Sequence, residues 1–91
     1  MNGEAVKRNL KTFNLQSWSK QSAINPIPVE KAEGIYFWDD HGIRYTDMSS
    51  QLVNLNLGFG NRAIIDAIKD QADAYCFVAP SYGSEPRAEL A

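Results

Sequence analysis

Val29-Glu30-Lys31-Ala32-Glu33-Gly34-Ile35-Tyr36-Phe37-Trp38-Asp39-Asp40-His41-Gly42-Ile43-Arg44-Tyr45-Thr46-Asp47 is the stretch that decides the fold. Ile35 to Trp38 is a run of β-branched and aromatic residues, the composition of a strand. Asp39-Asp40-His41-Gly42 has the residues of a hairpin turn: aspartates that bond their own backbone and a glycine free to take positive φ. Ile43 to Asp47 is then the returning strand. Upstream, Val29 to Ala32 reads as a short first strand that Gly34 ends. The stretch predicts a three-stranded antiparallel sheet. Asn25-Pro26-Ile27-Pro28 before it is extended, because each proline pushes the preceding residue out of the helical region.

Working outward, residues 4–14 place Val6, Leu10 and Phe13 on one helical face. Trp18 lies in the polar stretch Gln16 to Ser22, where a large indole needs a partner surface. On the other side of the sheet, Met48 to Gly60 mixes Leu52, Val53, Leu55 and Leu57 with Ser49, Ser50, Gln51, Asn54 and Asn56. It reads as a buried, irregular segment whose polar side chains satisfy backbone groups, and as a candidate site-lining loop. Asn61 is an N-cap, and Arg62 to Tyr75 is a helix with Ile64, Ile65, Ile68, Ala72 and Tyr75 on one face. Arg62 and Asp66 form an i,i+4 pair along it. Ser84, Glu85 and Pro86 open another helix, which runs for about two turns to Ala91 with no C-terminal signal. Isolated helices of that length are marginal in water. The expectation is that residues 1–91 begin a longer polypeptide, as an incomplete α+β domain.

The chain has 91 residues, 44% apolar and 22% charged, which suits one small globular domain or a piece of a larger one. Nine basic and eleven acidic side chains give a net charge of −2, and no basic block offers a nucleic-acid footprint. The single Cys76 cannot make an intramolecular disulfide, and the single His41 excludes a two-histidine metal site. Met1 to Phe13 lacks the apolar core of a secretory signal, and no stretch approaches the ~20 apolar residues of a membrane span. A reduced, cytoplasmic setting without membrane contact is expected.

Side-chain chemistry alone names no function. Gly58-Phe59-Gly60 lacks the third glycine of a dinucleotide loop, since position 63 is Ala63; it reads as a tight turn into the helix. Asp39, Asp40 and His41 are explained by turn chemistry. Lys7, Lys11, Lys20, Lys31 and Lys69 all lie on polar faces or beside charge, and an imine-forming lysine needs a desolvated or tuned setting. Ser49 and Ser50 have no nearby base. No complete catalytic set is present.

The string Val29-x-x-Ala32-Glu33-Gly34-x-Tyr36-x-x-Asp39-x-x-Gly42-x-Arg44-Tyr45-x-Asp47 resembles the amino-terminal signature of class III pyridoxal-phosphate-dependent aminotransferases. So do Ser49-Ser50-Gln51-Leu52-Val53-Asn54-Leu55-Asn56-Leu57-Gly58-Phe59-Gly60 and the helix pattern at residues 64–72. Phe59 departs mildly from the His or Tyr often found there. The resemblance covers Trp18 to Ala91. It implies part of the small domain of a fold-type I enzyme: a helix, a three-stranded antiparallel sheet, an irregular site loop and a following helix. It implies that Leu52 lines the substrate pocket with Val53 beside it, and that Trp18 closes the pocket. Phe77 and Val78 match a stretch that reaches the neighbouring subunit's site in the family dimer.

The implied reaction moves an amino group from an amine or ω-amino acid to a keto acid such as pyruvate or 2-oxoglutarate, with pyridoxal phosphate carrying the electrons. In the family the imine lysine, the carboxylate on the pyridinium nitrogen and the phosphate contacts come from the large domain. The isolated 91 residues are therefore expected to bind no cofactor and to be inactive. The competing expectation is a non-catalytic, self-associating module that exposes Leu52, Phe59, Phe77 and Tyr82.

Overall fold

The computed structural model describes residues 1–91. The chain forms two units, Met1–Gly60 and Asn61–Ala91. The first carries α1 (Gly3–Phe13), a 3-10 turn (Gln21–Ala23), β1 (Val29–Glu33), β2 (Tyr36–Asp39), β3 (Arg44–Thr46) and a one-turn helix α2 (Ser50–Val53). The second carries α3 (Arg62–Ala74) and α4 (Glu85–Leu90).

The three strands form one antiparallel sheet in the order β1-β2-β3. Strand alternation sends Tyr36 and Trp38 to one face and Phe37 to the other. On the first face the Lys31 ammonium lies 4.5 Å from the Trp38 ring centre, and the Arg44 guanidinium 4.6 Å from that of Tyr36. Each such cation–π contact contributes roughly 0.5–1 kcal/mol at an exposed site. On the second face Phe37 stacks on Tyr45, its cross-strand partner, with ring centres 5.1 Å apart. The regular pairing starts at Tyr36 rather than Ile35 and ends at Thr46 rather than Asp47. The Asp47 N–H still donates to the Ile35 carbonyl at 2.8 Å, so the outermost residues stay tied.

Asp39 organises the hairpin. It is 5% exposed. Its Oδ1 accepts the N–H groups of His41 and Ile43, each at 2.9 Å, and its Oδ2 accepts the Tyr45 hydroxyl at 2.9 Å. Burial pushes this carboxyl up, but the three donors outweigh it and hold the group below its ordinary value of 3.8. The same bond, with burial and the nearby acidic charges, raises the Tyr45 hydroxyl above its ordinary value of 10.0. Gly42 takes φ +77° in the turn, as the sequence requires, and donates its N–H to the Asp39 carbonyl at 3.0 Å.

The rest of the first unit packs around a small core. Asn2 caps α1, its Oδ1 accepting the Ala5 N–H at 2.9 Å. Gly3 is buried against Asp40, and a Cβ there would land on the Asp40 carboxylate. Ile24 is the one buried large hydrophobic residue, at 7% exposed, and Pro28 is buried as well.

The segment Met48–Gly60 differs from the sequence reading. It is irregular, and its polar side chains do bond backbone groups, but it is not buried: Leu52, Val53 and Leu57 are all exposed. Its far end is pinned. Phe59 and Gly34 exchange backbone bonds of 2.7 and 3.0 Å in an isolated bridge. Gly58 sits at φ +80°, where a Cβ would lie 2.8 Å from the Gly34 carbonyl oxygen, so both conformation and space demand glycine.

In the second unit Asn61 caps α3, its Oδ1 accepting the Ile64 N–H at 3.4 Å, and Arg62 pairs with Asp66. The helix ends at Ala74, one residue short of the predicted Tyr75. α4 starts after Ser84 with Pro86 in its first turn, although the Ser84 side chain makes no capping bond. No helix is long and apolar enough to cross a membrane.

Candidate functional site

Leu52 and Val53 sit in α2, and its backbone is unusual. Ser50, Gln51, Leu52 and Val53 have φ of 50°, 48°, 57° and 59°, a complete left-handed turn without a glycine. Left-handed helical backbone costs L-residues about 1–2 kcal/mol each. The β-branched Val53 is the least suited of the four. The compensation is polar and local. Val53 donates its N–H to the Ser49 carbonyl at 3.1 Å, and Leu55 donates to that of Ser50 at 2.9 Å. At the entrance, Asp47 Oδ1 accepts from the N–H groups of Ser49 and Gln51, both at 3.3 Å, and from the Ser49 hydroxyl at 3.4 Å. Burial raises the Asp47 carboxyl, but these donors from Gln51 and Ser49 outweigh it and hold it below its ordinary value of 3.8. At the exit, Asn54 Nδ2 donates to the carbonyls of Gln51 at 2.8 Å and Leu52 at 3.3 Å.

The outcome is the inverse of a core segment. Backbone groups are satisfied from within, while the apolar side chains of Leu52 and Val53 stay 64% and 75% exposed.

Trp18 repeats the pattern. It is 91% exposed and left-handed, at φ 56°. The Gln21 carboxamide braces its loop: Oε1 accepts the Gln16 N–H at 3.1 Å, and Nε2 donates to the carbonyls of Gln16 at 2.6 Å and Ser19 at 3.0 Å. Phe77 and Val78 belong to the second unit, Phe77 exposed and Val78 half-buried. Together with Tyr75, Cys76, Pro86 and Arg87 they line a cleft of about 210 Å³.

These residues offer apolar surface rather than reactive groups. Asp39 has both oxygens engaged, and His41 stands on an exposed turn, 3.9 Å from Asp40. The Ser49 hydroxyl donates to Asp47 Oδ1 at 3.4 Å, a bond that closes the turn.

A profile of the family described as "Aminotransferase class-III" matches residues 17–91. The chain belongs to the class III aminotransferases. Among curated relatives, the acetylornithine aminotransferase of Archaeoglobus fulgidus is 27% identical over 77 residues, 85% of this chain and 20% of that protein. The ornithine aminotransferase of Brevibacillus brevis is 38% identical over 65 residues, 71% of this chain and 16% of that protein. Among solved structures, the taurine:2-oxoglutarate aminotransferase of Bifidobacterium kashiwanohense, in complex with PLP and glutamate, is 52% identical with a TM-score of 0.89 over 99% of this chain. An S-selective transaminase from Arthrobacter sp. with alanine bound is 34% identical with a TM-score of 0.84. The chain covers 20% of each of these two structures. The chain's helices and three-stranded antiparallel sheet are thus those of part of a class III transaminase.

The family uses pyridoxal phosphate, whose chemistry needs an enclosed lysine to form an imine. The lysines of this chain do not fit that role. Lys7 pairs with Glu4 at 3.8 Å, Lys31 lies over Trp38, and Lys11, Lys20 and Lys69 are exposed. None of the five lysines of these 91 residues has the enclosed setting that an imine needs.

Trp18, Leu52 and Val53 stand out in the sequence as pocket residues only through the family resemblance, which does not disclose how they are held. Gln21, Asp47 and Asn54 were missed as the groups that brace them. Asp47-x-Ser49 carries an Asx-turn signal that points to the first bond. Nothing in Ser50-Gln51-Leu52-Val53 signals a left-handed backbone, because glycine and asparagine are absent from it.

Proposed function

We propose that residues 1–91 are the N-terminal segment of a class III aminotransferase, part of its small domain, and that they supply an apolar wall to its substrate cleft. Leu52, Val53 and Trp18 are the wall residues of that cleft, and Phe77 and Val78 reach the neighbouring subunit's site. The reaction served is transfer of an amino group from an amine or ω-amino acid to a keto acid such as pyruvate or 2-oxoglutarate. Pyridoxal phosphate supplies the electron sink in the complete enzyme, a cytoplasmic homodimer whose imine lysine and phosphate contacts lie outside these residues. The segment's own task is to shape the pocket and exclude water from it.

The observation that carries this reading is the extent of the match. Nearly the whole chain superposes on one fifth of an enzyme in complex with PLP and glutamate, at 52% identity, while Lys11, Lys20, Lys31 and Lys69 are exposed and Lys7 is paired with Glu4. A wall segment has that character: close likeness to an enzyme and no reactive group of its own.

A self-associating module without cofactor is the second reading. It draws on the exposure of Leu52, Phe77 and Tyr82. Phe59 does not support it, being half-buried and bridged to Gly34.

Segment replacement separates the two. The corresponding fifth of the Bifidobacterium enzyme is exchanged for these 91 residues. The expected result is a swapped enzyme that retains pyridoxal phosphate stoichiometrically and converts taurine and 2-oxoglutarate. A folded but inactive product overturns the wall reading and leaves the module.

A further inference from the structure

The residues with positive φ that are not glycine are Trp18, Ser50, Gln51, Leu52 and Val53. All fall in the two turns that display Trp18, Leu52 and Val53, the apolar side chains already assigned to the wall. Strained backbone persists only where the surroundings over-determine it, and it gathers where a side chain must be aimed. Both turns are over-determined in the same manner, by polar side chains rather than by packing. Gln21 makes three bonds around the Trp18 loop. Asp47 accepts three at the entrance of α2, and Asn54 donates two at its exit. Every one of these bonds ends on the backbone or hydroxyl of a residue in or flanking one of the two turns. None of the three braces carries apolar surface to the wall itself.

We infer that Gln21, Asp47 and Asn54 are positioning residues, which clamp two left-handed turns and thereby fix the substrate-facing directions of Trp18, Leu52 and Val53. The pocket role rests on the proposed wall; the clamp does not, since it follows from the hydrogen bonds and dihedrals. The atoms involved make specific demands. All three Asp47 bonds converge on Oδ1, so an amide oxygen at that place serves as well as a carboxylate oxygen. Asn54 acts through its amide N–H groups, so a carboxylate there fails. A glycine at position 51 accepts the left-handed backbone without a Cβ penalty and lessens the need for the clamp.

The test measures kcat and KM for the amino donor in the swapped enzyme described above. Asp47→Ala and Asn54→Asp are each expected to raise KM about tenfold with kcat changed by less than about threefold, because the wall is displaced while the chemistry is not. Gln21→Ala acts in the same direction through Trp18. Asp47→Asn keeps parental KM, and the double variant Asp47→Ala/Gln51→Gly returns to within about threefold of it. Asp47→Ala with parental KM overturns the inference. So does Asp47→Asn as impaired as Asp47→Ala, or a double variant no better than the single.

If the swapped enzyme is inactive, the wall reading fails and the clamp is judged alone. Strong intraresidue amide–Hα NOEs at residues 50–53 of the folded swapped enzyme, lost in Asp47→Ala, sustain it. Their absence from the parent swapped enzyme, or their persistence in the variant, overturns it.

Discussion

The hairpin and the left-handed turn are each built around an aspartate that accepts three hydrogen bonds, yet they use it for opposite ends. Asp39 is buried and spends both oxygens on a turn whose one left-handed position is a glycine. Asp47 is half-buried and offers a single oxygen, at longer distances, to a turn whose four left-handed positions all carry side chains. In the hairpin the carboxylate reinforces what the backbone already prefers. In α2 it opposes what the backbone prefers. The first arrangement makes the fold, and the second aims side chains that the fold leaves uncovered.

The sharpest way to break this contrast is to remove each aspartate in turn. Asp39→Ala orphans the His41 and Ile43 N–H groups and the Tyr45 hydroxyl at once, next to a core that holds little else. Loss of the sheet is expected, read as disappearance of cross-strand NOEs between Phe37 and Tyr45. Asp47→Ala is expected to leave those NOEs in place. A variant pair that behaves alike removes the distinction between the two aspartates.

The same contrast decides what the sequence could disclose. β2, β3 and their turn were legible to within a residue, because Ile35 to Trp38, Asp39 and Gly42 each favour locally the conformation they adopt globally. Asn61 and the periodic isoleucines of α3 were legible for the same reason. The class of the protein was legible from the spaced pattern that runs from Val29 through the helix after Gly60. Met48–Gly60 was legible as irregular and self-satisfying but not as exposed. Its alternating leucines look like core, whereas Leu52 and Val53 are exposed in the structure. Gln21 was hidden because its partners, Gln16 and Ser19, belong to a polar stretch with no periodicity.

The pin that closes the loop depends on Gly58. Gly58→Ala meets two penalties, a left-handed φ that costs about 1–2 kcal/mol and a Cβ against the Gly34 carbonyl. The Gly34–Phe59 bridge is expected to open, seen as faster amide exchange at both residues. Unchanged protection means that this bridge does not anchor the far end of the segment.

Acid sharpens the comparison further. Asp39 and Asp47 both have folded values below 3.8, so each contributes stability that is present above that pH and is lost as pH falls through its depressed value. Tyr45, raised above 10.0, contributes below that pH and loses its share as pH rises through the raised value. The hairpin is therefore held fully between these limits. Asp39→Asn is expected to flatten the acid limb of a sheet-specific signal, and Tyr45→Phe the alkaline limb. An acid limb unchanged in Asp39→Asn assigns it to other carboxyls.

The smallest effect is the one whose sign carries most meaning. In a right-handed helix or a strand, glycine costs roughly 0.5–1 kcal/mol relative to alanine, because it surrenders more backbone freedom on folding. At position 51 the backbone is left-handed, φ 48° and ψ 57°, and glutamine there bears the penalty that glycine escapes. The relief of roughly 1–2 kcal/mol outweighs the entropic loss. Gln51→Gly is therefore expected to stabilise the swapped enzyme slightly, by up to about 1 kcal/mol in denaturant midpoint terms. Gly42→Ala, its mirror in the hairpin, is expected to destabilise by a similar amount, since it puts a side chain where the turn takes φ +77°. Opposite signs at the two positions mean that α2 is held left-handed against its own residues' preference. A destabilising Gln51→Gly means that it is not, and the clamp formed by Asp47 and Asn54 then has no strain to hold.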